Sequence, residues 1–142
     1  IPVEDVSPLN RRGNASGRLF GGNLSVFCSL LGSEYATVPA GGILFLEDIG
    51  EAPYRVDRMI HQLELAGVFR EIGGLMVGQF TDYEEDYRMY SPLQESIREV
   101  VDGYGFPVCF GFPVGHVKRN FPLIMGETAE LNVGNDGASF KQ

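Results

Sequence analysis

An α/β domain built on a mixed sheet is the fold class this sequence predicts. Three observations lead there. Short apolar runs alternate with segments of helical periodicity between residues 24 and 112. The last part of the chain instead carries strand-like runs around Asn135-Asp136-Gly137, a hairpin signal. The 142 residues, 44% of them hydrophobic, suit one domain spanning 1–142, with no repeat or dividing linker.

The elements follow in order. SPLNRRGNASGRLFGGN at 7–23 is rich in Gly, Asn, Pro and Arg. It predicts mostly loop over residues 1–23, with 1–16 as a loop or interdomain segment and a short strand around Arg18–Phe20. Gly21 and Gly22 read as positions of tight turning or close approach, and Asn23 as a helix cap. In LSVFCSLLG, Leu24, Phe27 and Leu31 repeat at helical spacing, and Gly32 supplies a left-handed exit. Gly42–Leu46 reads as a buried strand. Residues 54–66 form an amphipathic helix with Val56, Met59, Ile60 and Leu63 on one face, entered through Pro53 and left at Gly67. Gly74–Val77 is a second apolar strand, and the acidic, tyrosine-rich TDYEEDYRMYS at 81–91 a solvated loop. Ser91-Pro92-Leu93-Gln94 matches a capping box for a helix packing Leu93, Ile97, Val100 and Val101 and stopping near Gly103. Pro107–Phe112 is a third strand, and Glu130–Val133 with Ala138–Phe140 close the sheet.

Composition excludes several functions. A net charge of −8 argues against a nucleic-acid or anionic-membrane partner. No apolar run approaches the roughly 20 residues of a membrane span, and no signal segment is present. Beginning at Ile1 without an initiator Met, the chain reads as a fragment of a longer protein. Cys28 and Cys109 sit in apolar contexts and read as buried thiols. Without CxxC, HExxH or a Cys/His cluster, neither a metal site nor a cofactor is expected.

The candidate chemistry rests on one histidine and one acid. His61 falls within the 54–66 helix, off its apolar face and four residues after Asp57, and reads as a surface histidine. His116 lies in a Gly/Pro-bounded loop after an apolar strand, where scaffolds hold reactive side chains. Glu47 and Asp48 end the strand before, and adjacent residues of an extended chain point to opposite sides. One acid can therefore face a cleft while the other serves the turn. Glu47 orienting His116 would fix its tautomer and stabilise the imidazolium formed in general-base catalysis. A nucleophile is missing: Ser25, Ser29, Ser33, Ser91 and Ser139 stand in no GxSxG elbow, and a buried Cys28 is a weak one. Asp57–Arg58, Arg55 and Glu51 read as local ion pairs. Lys118 and Arg119, beside His116, offer charge for a substrate carboxylate or phosphate.

Four stretches in order carry a resemblance: GRLFGGNLS at 17–25, GGILFLEDIGEAPYRVDRMIHQLELAGVF at 41–69, GGLMVGQF at 73–80 and FPVGHVKRNFPLIMGETAEL at 112–131. Together they resemble the C-terminal domain of the LD-carboxypeptidase family, serine peptidases of the muramoyltetrapeptide carboxypeptidase type that include microcin C immunity peptidases. The resemblance implies a swivelling β/β/α-type domain joined to an N-terminal domain of the same polypeptide. It implies a Ser-Glu-His triad with Glu47 and His116 supplied here and the serine from that N-terminal domain. It further implies hydrolysis of the L,D bond to terminal D-alanine in murein tetrapeptides, in the cytoplasm and without a metal. Homodimers, common in the family, are another implication. An isolated C-terminal domain should be inactive. Two alternatives stay open: a non-catalytic peptide- or muropeptide-binding module, and a peptidase of peptidyl-nucleotides.

Overall fold

The computed structural model describes residues 1–3 and 7–142. Residues 4–6, within the segment expected to be loop, lie outside the described residues. Seven strands form one mixed sheet, in the order β1-β7-β6-β2-β3-β4-β5.

The long strand β2, Gly13–Asn23, organises it. Its first half, Gly13–Arg18, pairs antiparallel with β6 (Thr128–Val133), and its second half, Leu19–Asn23, pairs parallel with β3 (Ile43–Ile49). β3 continues in parallel to β4 (Gly74–Thr81), and β4 to the two-residue β5 (Val108–Cys109). On the other side β6 pairs with β7 (Ala138–Lys141), and β7 with β1 (Pro2–Val3). The sheet therefore has a parallel half and an antiparallel half that share one strand.

Alternation along β3 builds two cores from one strand. Leu44 and Leu46 face a cluster containing Val56, Ile60 and Leu63 of the helix α2 (Pro53–Leu65) and Ile97 of α4 (Leu93–Val100). Ile43 and Phe45 face the opposite cluster, with Leu131 and Val133 of β6 and Phe140 of β7. Helices thus cover one face of the parallel half and the antiparallel strands cover the other. The expected β/β/α layering is present. Both faces of β3 are dry, which is why its apolar run is continuous rather than alternating.

Several expectations are corrected. β2 occupies eleven residues where mostly loop was expected, and residues 13–16 are strand rather than loop. Ser, Asn and Gly are poor strand formers, but β6 and β3 together hold their backbone. Gly21, with φ of +107°, lies so close to β3 that a Cβ there would stand 2.1 Å from the Phe45 carbonyl oxygen. Close approach holds at Gly21, whereas the space beside Gly22 is open. The expected strand 107–112 shrinks to Val108–Cys109. Beyond it, the Phe110 amide donates to Asn10 Oδ1 (2.7 Å) and the chain bends at Gly111 (φ +71°).

The capping box is also replaced. Ser91 Oγ donates to Glu99 (2.6 Å) instead of capping, and Pro92 stands at the N-cap of α4. The Leu93 amide donates to both Glu85 carboxylate oxygens (3.0 and 3.3 Å), so an acid of the 81–91 loop does the capping. At the far end Arg11 supplies the missing donors. Its guanidinium donates to the Val101 (2.7 Å), Asp102 (3.1 Å) and Tyr104 carbonyls, and lies over the Phe106 ring. The remaining helices are α1 (Leu24–Leu30), followed by Gly32 at φ +88°, and the single turn α3 (Val68–Glu71) after Gly67 at φ +80°. Among the described residues no helix is long and apolar enough to cross a membrane.

Candidate active site

Two carboxylates end β3 almost fully buried: Glu47 is 6% and Asp48 3% exposed. Buried charges need partners, and the strand's alternation sends these two to different ones. Asp48 continues the Leu44–Leu46 side, toward the helices. Its Oδ1 accepts from Asn23 Nδ2 (2.8 Å) and the Ile49 amide (2.8 Å), and its Oδ2 accepts from the Ser25 amide (2.9 Å). Asn23 is the N-cap of α1, its Oδ1 accepting from the Val26 amide (3.1 Å). Asp48 and Asn23 therefore anchor α1 on the sheet together. The expectation that Asp48 serves the following turn is corrected: its main work lies 23–25 residues upstream.

Glu47 continues the Ile43–Phe45 side. Its Oε2 lies 2.8 Å from Nδ1 of His116, 69 residues later. With the carboxylate oxygen as acceptor, the geometry assigns Nδ1–H as the donor of this pair. Nε2 is then left with a lone pair, on a side chain that is half exposed. Among the described residues Nε2 has no hydrogen-bond partner. The structure thus presents a buried acid, an oriented imidazole and a free basic nitrogen at the carboxyl end of the parallel strands, where α/β sheets usually hold ligands.

The loop carrying His116 is shaped by its neighbours on β4. The Phe112 amide donates to the Val77 carbonyl (3.1 Å), and the Gln79 amide to Val114 (2.9 Å). Gln79 Nε2 donates to the Phe112 carbonyl (3.2 Å). Gly115 has φ of +138°, and a Cβ there would stand 3.2 Å from Glu47 Oε2 and 3.0 Å from the Gln79 carbonyl oxygen. The positive φ favours glycine, and a Cβ would crowd both Glu47 and the Gln79 carbonyl. Gly115 and Gln79 were not singled out from sequence; the Gly-His dipeptide is the signal that could have found the first.

The other candidates do not join this pair. His61 is exposed on α2, with Nδ1 3.0 Å from the Asp57 carbonyl oxygen. Ser25, Ser29 and Ser33 donate to Asn23 Oδ1, the Val26 carbonyl and the Leu30 carbonyl, all around α1. Cys28 and Cys109 are buried and free. Burial, aided by the nearby Asp48 charge, pushes the Cys28 thiol up to about 11, and burial alone pushes Cys109 up to about 12. Neither forms thiolate near neutrality. Arg55 pairs with Glu51 at 3.6 Å, and Arg119 lies 5.5 Å from the Phe121 ring centre. Among the described residues no three His, Cys, Asp or Glu side chains are grouped to hold a metal.

Known proteins share this architecture. The family model of the LD-carboxypeptidase C-terminal domain matches residues 16–131. The probable murein peptide carboxypeptidase of Bacillus subtilis is 34% identical over 139 residues, covering 96% of this chain and 44% of that protein. The crystal structure of muramoyltetrapeptide carboxypeptidase from Oxalobacter formigenes superimposes with a TM-score of 0.88 at 30% identity, over 99% of this chain and 48% of that one. The microcin C7 self-immunity protein MccF, found in Escherichia coli, superimposes with a TM-score of 0.81 at 28% identity, over 94% of this chain and 40% of that one. The chain spans less than half the length of each. With the model matching most of its residues and the layered sheet reproduced, the chain belongs to the LD-carboxypeptidase family, as its C-terminal domain.

Proposed function

We propose that this chain supplies Glu47 and His116 to a Ser-Glu-His triad whose serine lies on an N-terminal domain of the same polypeptide. The 2.8 Å contact between Glu47 Oε2 and His116 Nδ1 carries the reading. It leaves Nε2 as the basic atom, on a half-exposed side chain that an incoming hydroxyl can reach.

In the reaction, Nε2 takes the serine proton as the serine oxygen attacks the scissile carbonyl. Glu47 stabilises the imidazolium so formed. Nε2–H then protonates the leaving amine as the C–N bond breaks, giving an acyl-enzyme. Water, deprotonated by the same nitrogen, attacks the ester and frees the serine. The substrate is a murein tetrapeptide, the bond that to its terminal D-alanine, and the setting the recycling of peptidoglycan fragments in the cytoplasm. The relatives named for murein peptides favour this substrate, and the likeness to MccF favours a second reading, cleavage of peptidyl-nucleotide conjugates.

The test is D-alanine release from murein tetrapeptide by the full polypeptide, its His116→Ala variant and this chain alone. Release by the first and severe loss in the other two is the expected result. A folded full polypeptide that leaves the tetrapeptide intact but cleaves an aminoacyl sulfamoyl adenosine would replace the substrate with the second reading. Inactivity on both would replace catalysis with peptide binding.

A further inference from the structure

The His116 loop is tied more firmly before the histidine than after it. Upstream, Phe112 and Val114 bond to the backbone of β4, and Gln79 adds its side chain. Downstream, Val117 to Asn120 carry exposed or half-exposed side chains; the Val117 amide donates to the Gly115 carbonyl (2.9 Å) in a tight turn around His116, and the Phe121 amide donates back to the Pro113 carbonyl (3.1 Å). Across this stretch Asn120 Oδ1 accepts the amide of Gly115 at 3.2 Å. That amide belongs to the peptide directly preceding the one that leads into His116. Gly115 is also the residue whose backbone packs against Glu47. With the Val117 turn and the bridge from Gly115 to Gln79, this side-chain bond holds the backbone from which the imidazole projects.

We infer that Asn120 is a positioning residue for His116, closing the loop so that Nδ1 stays against Glu47. The inference rests on the catalytic reading only for its kinetic consequence. Asn120 is exposed, so water can replace its bond without unfolding the chain, and the effect falls on orientation rather than on stability. A histidine released from one orientation exchanges between tautomers and loses alignment with an incoming hydroxyl. Misplacement of that kind costs catalysis on the order of ten- to a hundredfold.

The experiment compares this chain with Asn120→Ala, Asn120→Ser and Asn120→Asp by nitrogen-15 spectroscopy of the imidazoles, with His61 as internal reference. The unsubstituted chain should show His116 in the Nδ1–H tautomer. Asn120→Ala and Asn120→Ser should show averaged tautomers, with His61 and the melting temperature unchanged. Asn120→Asp, which keeps an acceptor at the same reach, should restore the single tautomer. In the full polypeptide the two truncations should lower kcat about ten- to a hundredfold with little change in KM. An unshifted His116 spectrum in both truncations overturns the inference, as does an Asp variant that behaves like Ala. A polypeptide inactive on every peptide removes the catalytic reading, while the spectrum still decides the positioning role.

Discussion

At Glu47 a single carboxylate oxygen faces a single ring nitrogen, which makes its replacement informative. Glu47→Gln keeps size and shape but removes the charge that stabilises an imidazolium, and its amide can hold the ring in the wrong tautomer. In the full polypeptide we expect kcat to fall by about 10³–10⁴-fold while substrate affinity is kept, as read from steady-state kinetics. A fall below tenfold would remove Glu47 from the proposed triad. Gly115→Ala makes a separate test. Its backbone sits at φ +138° with Glu47 and Gln79 in the way of a Cβ. Strain of about 1–3 kcal/mol is expected in denaturant unfolding, together with loss of the Nδ1–H signal of His116. A variant as stable as the parent would mean that the loop gives way freely.

At the scale of elements, polar side chains distant in sequence supply or reinforce the ends of helices. Asp48 and Asn23 hold the start of α1, Glu85 the start of α4, and Arg11 its end. Asp48→Ala leaves the Ser25 amide and the Asn23 side chain without their buried acceptor. The expected cost is about 1–3 kcal/mol, measured by urea unfolding, with α1 amides exchanging faster than those of β4. Arg11→Ala should cost a similar ~1–3 kcal/mol by uncovering the Val101, Asp102 and Tyr104 carbonyls that follow α4, and its exchange effect should concentrate at residues 97–104. Uniform exchange across the chain in either variant would contradict these anchoring roles. The Ser91 capping box fails for a related reason: an eligible motif lost to a carboxylate that the fold brought to the same amide.

For the molecule as a whole, the two buried thiols set an alkaline limit. The folded chain keeps Cys28 and Cys109 protonated up to about 11 and 12, whereas an unfolded thiol ionises near 8.5. Above about pH 9 the unfolded state therefore binds fewer protons than the folded one, and stability falls as pH rises. Below about pH 8 this contribution is intact. Unfolding measured from pH 7 to pH 10.5 should show a downward slope that is reduced in Cys28→Ala and Cys109→Ala. An equal slope in those variants would show that the thiols ionise alike in both states. Native thiols should also resist alkylation at pH 8 and react fully in urea.

Helices α1, α2 and α4, strands β3 and β4 and the closing hairpin were legible because each announces itself locally: period 3.6 in α2, continuous apolar runs in β3 and β4, and a turn signal before β7. Glu47 and His116 were legible as types at strand ends, and their motifs carried the family resemblance. The tertiary structure decided what no local pattern encodes. It made a strand of the polar Gly13–Asn23 segment, because two flanking strands satisfy its backbone. It cut the 107–112 strand short, because Asn10 takes the Phe110 amide. It gave Asp48 to α1 and Glu47 to His116, because β3 faces a different layer on each side and only the closed sheet brings residues 69 positions apart to 2.8 Å. Local propensity is written in neighbouring residues, whereas hydrogen-bond partners across a sheet are settled by which strands meet.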